Sequence, residues 1–158
     1  MNTAYRIDDE PRPSKLAHLA VKPLWPLLGL MLAGSWLAWP WFALNSLAVG
    51  SPTMRKELVW LATAIVGSLL LIAAILYLDK QHILVDNRHA KYALLMLTLW
   101  KLGTGYAIFT LQSRTLELYE YYGGILRNGL IVVLAAAFFG RRLISDAIES
   151  TPLRLLLG

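Results

Sequence analysis

The chain has 158 residues, 57% hydrophobic and 16% charged, with a mean hydropathy of +0.53. Soluble domains of this size are about half apolar and about a quarter charged, so the composition points to lipid as the main solvent and excludes disorder over most of the length. The absence of cysteine excludes disulfides, thiolate catalysis and thiolate metal sites. The net charge of +5 does not signal nucleic acid, because the basic residues sit in short clusters between long apolar runs and form no basic stripe.

Residues 1–23 read as a cytoplasmic tail. Its first part is polar and proline-bearing. Ser14 then caps a short helix to Lys22, with Leu16, Leu19 and Ala20 on the face laid against the membrane surface; Pro23 ends it. The tail is too long and too mixed in charge for a cleaved signal, so the first apolar segment reads as an uncleaved signal-anchor.

A helix needs about 20 apolar residues to cross a bilayer core of about 30 Å. Four segments are expected to span, over about 24–44, 58–78, 92–111 and 120–142. The first holds Gly29 and Ala33 at a spacing that suits a close helix contact. Pro40 should kink or end it. The second carries no charge, and the third carries Lys101 near its middle. The fourth has a strictly apolar centre of only 129–140, which leaves its start open. Arg141 to Glu149 reads as an amphipathic helix, and Pro152 ends it before an apolar tail. Residues 24–144 thus form the bundle, and 145–158 a second cytoplasmic tail.

Lysine and arginine counts set the orientation. Arg6, Arg12, Lys15 and Lys22 are assigned to one side with Lys80, Arg88, Lys91, Arg141, Arg142 and Arg154. Arg55, Lys56 and Arg114 are assigned to the other. The expected fold is an all-α integral membrane protein with four transmembrane helices and both termini cytoplasmic, multi-pass in a bacterial-type inner membrane. Trp25, Tyr77 and Tyr92 fall at inner ends, whereas Trp36, Trp39, Trp41, Trp60, Tyr106, Tyr119, Tyr121 and Tyr122 fall toward the outer half, as interfacial belts require.

Lys101 is the sharpest candidate. A lysine at that depth costs about 2.5–3.5 kcal/mol and needs an interior partner. It either fixes helix register or binds an anion or headgroup; Gly103 and Gly105 beside it allow close approach of another helix. Glu117, Glu120 and Arg127 share one helical face if the fourth span starts early, which would bring Glu120 to Lys101 or Arg127. No nucleophile accompanies the two glutamates, so catalysis is not expected there. Asp79, His82, Asp86 and His89 form a weak metal pattern that an ordinary polar loop explains equally. Trp36, Trp39, Trp41, Tyr121 and Tyr122 are candidate contacts for lipid or a partner.

No nucleotide, hydrolase or protease motif occurs, and no cofactor is expected. The leading expectation is a non-catalytic subunit that binds another integral membrane protein or a second copy of itself, such as an accessory, assembly or immunity-type protein. The alternative is a small transporter, channel or lipid-handling protein that takes an anionic solute or headgroup at Lys101 and Arg127.

Overall fold

A computed structural model describes residues 13–81, 87–140 and 151–158. Among these residues the fold is helical, with no strand. The helices are α1 (Leu24–Leu32), α2 (Ser35–Val49), α3 (Met54–Lys80), α4 (Asn87–Tyr121), α5 (Leu130–Ala135) and α6 (Thr151–Leu157). A 3-10 turn, Ala17–Leu19, precedes α1, and α5 continues as a π turn over Ala136–Gly140.

Two helices, α3 and α4, are long and apolar enough to cross a membrane. With 27 and 35 residues they reach about 40 and 52 Å at 1.5 Å per residue. They pack antiparallel. Trp100 Nε1 donates to Ala64 O at 3.3 Å near their middle, while Gln112 meets Glu57 at one end. Gly67 admits the Trp100 ring where a Cβ would collide with it.

The expected first span is not one helix. The chain breaks at Ala33–Gly34 and turns back on itself. Gly34 has φ +112°, which L side chains rarely adopt, and a Cβ there would lie 2.5 Å from the Leu157 carbonyl oxygen. The two arms, nine and fifteen residues, are each too short for a bilayer. Gly29 of α1 accepts Leu37 and Trp41 of α2, so the small-residue contact serves the hairpin itself. At its open end Asn45 clips Val21, accepting from Val21 N at 3.1 Å and donating to Val21 O at 3.0 Å. Pro40 does not end α2, which runs through it to Val49.

The fourth segment also departs from expectation. Helix α4 extends ten residues beyond 111, to Tyr121. Gly123, at φ +86°, then turns the chain. An irregular stretch lays Arg127 beside Val21, with Arg127 N donating to Ala20 O at 2.9 Å. Helix α5 and its π turn run back along the hairpin, from Gly129 against Trp25 and Trp41 to Gly140 against Trp36. The helix expected over 141–149 lies outside the described residues. Pro152 lies within α6 (Thr151–Leu157), and whether it ends that expected helix falls outside the described residues with it.

This path groups the basic residues by end of the molecule differently from the charge count. Ser14 donates to Ala48 O at 3.1 Å, and Lys22 pairs with Glu120 at 3.5 Å. The N-terminal segment therefore lies at the same end as Arg55, Lys56 and Arg114, opposite Lys80 and Arg88. The hairpin reverses a chain that the count had sent straight across.

Two glycines separate strain from space. Gly34→Ala should lower stability by at least about 1–2 kcal/mol, from its backbone conformation alone. Gly103, with nothing within 4 Å of a built Cβ, is the control. Gly103→Ala should be neutral or stabilising by up to about 1 kcal/mol, from helix propensity. Thermal unfolding of the two variants in one detergent reads the contrast.

Candidate functional sites

A polar knot gathers where α2 ends, α3 begins and α4 passes. Glu57 lies in the first turn of α3 and is 1% exposed. Its Oε1 accepts from Ser51 Oγ at 2.5 Å and Thr53 Oγ1 at 2.6 Å. Its Oε2 accepts from Gln112 Nε2 at 2.9 Å and from Ser46 Oγ. Thr115 Oγ1 stands 3.3 Å from Ser51 Oγ and 3.4 Å from Thr53 Oγ1. Among the described residues no basic side chain pairs with Glu57. The loop between α2 and α3 supplies two of these hydroxyls, because the chain must turn there and Ser51 and Thr53 also bond locally.

Gln112 is 2% exposed and spans the knot. Its amide nitrogen also faces Phe42 O at 2.7 Å and Ser46 Oγ at 3.0 Å. Its Oε1 is buried with no hydrogen-bond partner. Flipping the amide would set that oxygen against the Phe42 carbonyl, so the backbone of α2 fixes its orientation.

Lys101 occupies a second polar site, at the tip of the hairpin. It is 6% exposed, and its Nζ donates to Leu155 O at 2.6 Å and Gly158 O at 2.7 Å. Ser35 Oγ donates to Leu156 O. The last carbonyls of a helix lack intrahelical donors and favour a cation nearby. Lys101 and Ser35 thus hold the end of α6 in the gap between α4 and the hairpin. Gly105, one turn along α4, lets Leu30 of α1 approach where a Cβ would clash. A cavity of about 340 Å³ borders the site, lined by Lys101, Arg154, Gly34 and leucines of α1, α4 and α6.

The structure does not bring the other charged candidates to Lys101. Glu120 pairs with Lys22, both largely exposed, a contact worth about 0–1 kcal/mol. Glu117 is exposed and lines a shallow cavity with Lys22 and Glu120. Arg127 is exposed beyond the end of α4, beside Ala20 and Val21. The shared helical face expected for Glu117, Glu120 and Arg127 is broken at Gly123.

The three tryptophans turn inward. Trp36 packs on Gly140 and donates to Ala33 O at 2.9 Å; Trp41 packs between Gly29 and Gly129; Trp39 is buried with Nε1 unpaired. Trp36 and Trp41 join the hairpin to α5 and its π turn. Tyr121 and Tyr122 face outward, stacked edge to face, with Tyr121 83% exposed. Asp79 and His89 are exposed, and His82 and Asp86 lie outside the described residues. Among the described residues no three metal-ligating His, Asp or Glu side chains gather.

No sequence signal singled out Glu57. It sits in a charged stretch, Arg55-Lys56-Glu57, that reads as loop. The only cue was the run of hydroxyls at Ser46, Ser51 and Thr53 before it.

Compared with known proteins, the chain matches no family model, no curated protein and no solved structure.

Removing the Lys101 ammonium leaves the Leu155 carbonyl of α6 and the Gly158 oxygen just beyond it without this donor, at about 1–3 kcal/mol. Lys101→Met should raise amide hydrogen exchange across 151–158 and leave the Asn45–Val21 clip unchanged. Unaltered exchange in α6 would show that Lys101 does not hold it.

Proposed function

We propose that this is an integral membrane protein that acts by associating with another membrane-embedded helix, from a partner protein or a second copy of itself. The observation that carries the reading is the inverted placement of polar and apolar side chains. Glu57, Ser68, Lys101, Thr104, Gln112 and Thr115 are buried, while Val66, Leu69, Leu70, Leu95, Met96 and Leu99 are exposed. Only 17% of the most apolar 18 residues of α3, and 28% of those of α4, are buried within the protein. A core helix of a soluble protein would be mostly covered. Exposed apolar patches of this extent mark lipid or protein contacts.

In this reading α3 and α4 cross the bilayer, while the hairpin and α5 enter it from one side and turn back. Irregular backbone at such depth is tolerated where protein covers it, as α4 and α6 cover the hairpin tip. The end that carries Lys15, Lys22, Arg55, Lys56, Arg114 and Arg127 faces the cytoplasm by the positive-inside bias. Membrane lipids are then the general solvent. An open apolar cleft of about 590 Å³ between α3 and α4, lined by Gly67, Leu70, Leu71, Met96, Leu99 and Trp100, suits a further helix.

Lys101 and Arg127 do not support a shared anion site, because Lys101 is spent on α6 and Arg127 stands at the cytoplasmic end of the hairpin. Association is tested by native mass spectrometry of the protein released from its membrane in mild detergent. A defined heteromer or homo-oligomer, lost in Leu70→Arg and Leu99→Arg, is the expected result. A lone monomer would contradict the reading.

A further inference from the structure

At the tip of the hairpin a buried charge stands beside open space. Holding α6 uses two of the three hydrogens of the Lys101 ammonium, on the oxygens of Leu155 and Gly158 at 2.6 and 2.7 Å. The third has no acceptor among the described residues, although Lys101 is only 6% exposed and lines the cavity of about 340 Å³. Arg154 of α6 lines the same cavity. It has a contact of its own within the chain, yet a guanidinium carries five N–H donors in a fixed fork. Among the described residues no acidic side chain lines the cavity. One negative charge at the Gly158 oxygen would balance only one of the two cations. The remaining wall is largely apolar, with Leu30 from α1 and Leu94, Leu97 and Leu102 from α4.

We propose that this cavity binds an anionic amphiphile, a carboxylate or phosphate on an acyl chain, with the anion held by Lys101 and Arg154 and the chain laid along the leucines. Charge sets the head: two cations and no acid call for an anion, and the arginine fork matches the paired oxygens of a carboxylate or phosphate. The wall sets the tail. Leu94 lies seven residues before Lys101, about 10 Å along α4, so the apolar surface runs the length of several methylenes. Size agrees, because ligand pockets hold about 300–1,000 Å³ and are mostly apolar with a few polar groups that fix orientation. A free inorganic anion would leave the leucine wall bare, and a neutral lipid would leave both charges unanswered. Basic pockets between membrane helices hold acidic lipid heads on the same grounds. No bond is made or broken.

The occupant touches α1, α4 and α6, so binding stabilises the docked position of α6 by linkage. It needs no partner protein. A lone monomer with a filled cavity would contradict the association reading and leave this one standing.

The test uses the full chain in mild nonionic detergent, stripped of lipid, with an oleate analogue that carries a diazirine on its chain as the probe. One saturable label per chain is expected, with cross-links on the cavity residues of α1, α4 and α6. Unlabelled oleate and dioleoyl phosphatidate should compete, the stronger of the two naming the head as carboxylate or phosphate. Oleyl alcohol, which has the chain without the charge, should not compete, and neither should inorganic phosphate, which has the charge without the chain. Arg154→Gln should weaken binding by about tenfold, as for one lost charge-assisted hydrogen bond. Leu94→Trp, which keeps both cations and fills the cavity, should weaken it by a similar factor. Bound oleate should also slow amide exchange across 151–158 in the unaltered protein, a readout that holds even if a variant fails to fold. Oleyl alcohol competing as well as oleate, competition by inorganic phosphate, or cross-links spread over the outer faces of α3 and α4 would overturn the proposal. Unchanged binding in folded Arg154→Gln and Leu94→Trp would overturn it as well.

Discussion

A carboxylate carried into an apolar interior has to be met by donors, and Glu57 draws the three longest helices together to meet it. Ser46 comes from α2, Ser51 and Thr53 from the turn, and Gln112 from α4. Hydrogen bonds to a charged acceptor are about twice as strong as neutral ones, and leaving one unmade in the interior costs more than making it gains. The register of α3 against α4 and the end point of α2 follow from that demand. The Asn45 clip and the Ser14 bond to Ala48 then place the N-terminal segment at the same end.

The same rule governs the other end of the hairpin. A chain that turns back at Gly34 frees backbone carbonyls and amides in a packed interior, and each must be answered locally. Ala33 and Gly34 amides both donate to Gly29 O, at 2.8 and 2.9 Å. The carbonyls at the end of α6 are answered by Lys101 and Ser35. Lys101 thus ties α4 to the end of α6. Its partners are the main-chain oxygens of Leu155 and Gly158.

Much of the helix content was legible because long apolar runs have few other solutions. The runs at 58–78 and 92–111 became α3 and α4 in place, each extended by polar turns at its ends. The run at 24–44 misled for a definite reason. Hydropathy averages over the break, and Ala33-Gly34 looks like any small-residue pair until Gly34 is seen at positive φ. Counting lysines and arginines rests on the same premise, that each apolar run crosses. The tryptophans read as a belt because their type suits an interface, yet glycines at 29, 129 and 140 open slots that take Trp41 and Trp36 inward. Lys101 was visible as an isolated charge. Its carbonyl partners were not, because a backbone acceptor leaves no trace in composition. Glu57 was hidden by its basic neighbours, whose side chains point out while its own points in.

The account depends on lipid covering the outer faces of α3 and α4. The chain has no cysteine, so single cysteines report cleanly. Leu70→Cys and Leu99→Cys, measured in native membrane fragments opened on both sides, should resist a polar maleimide, while Tyr121→Cys, beyond the apolar stretch of α4, should react. Rapid labelling of Leu70→Cys and Leu99→Cys in these membranes, or recovery of the chain in the aqueous fraction without detergent, would contradict it.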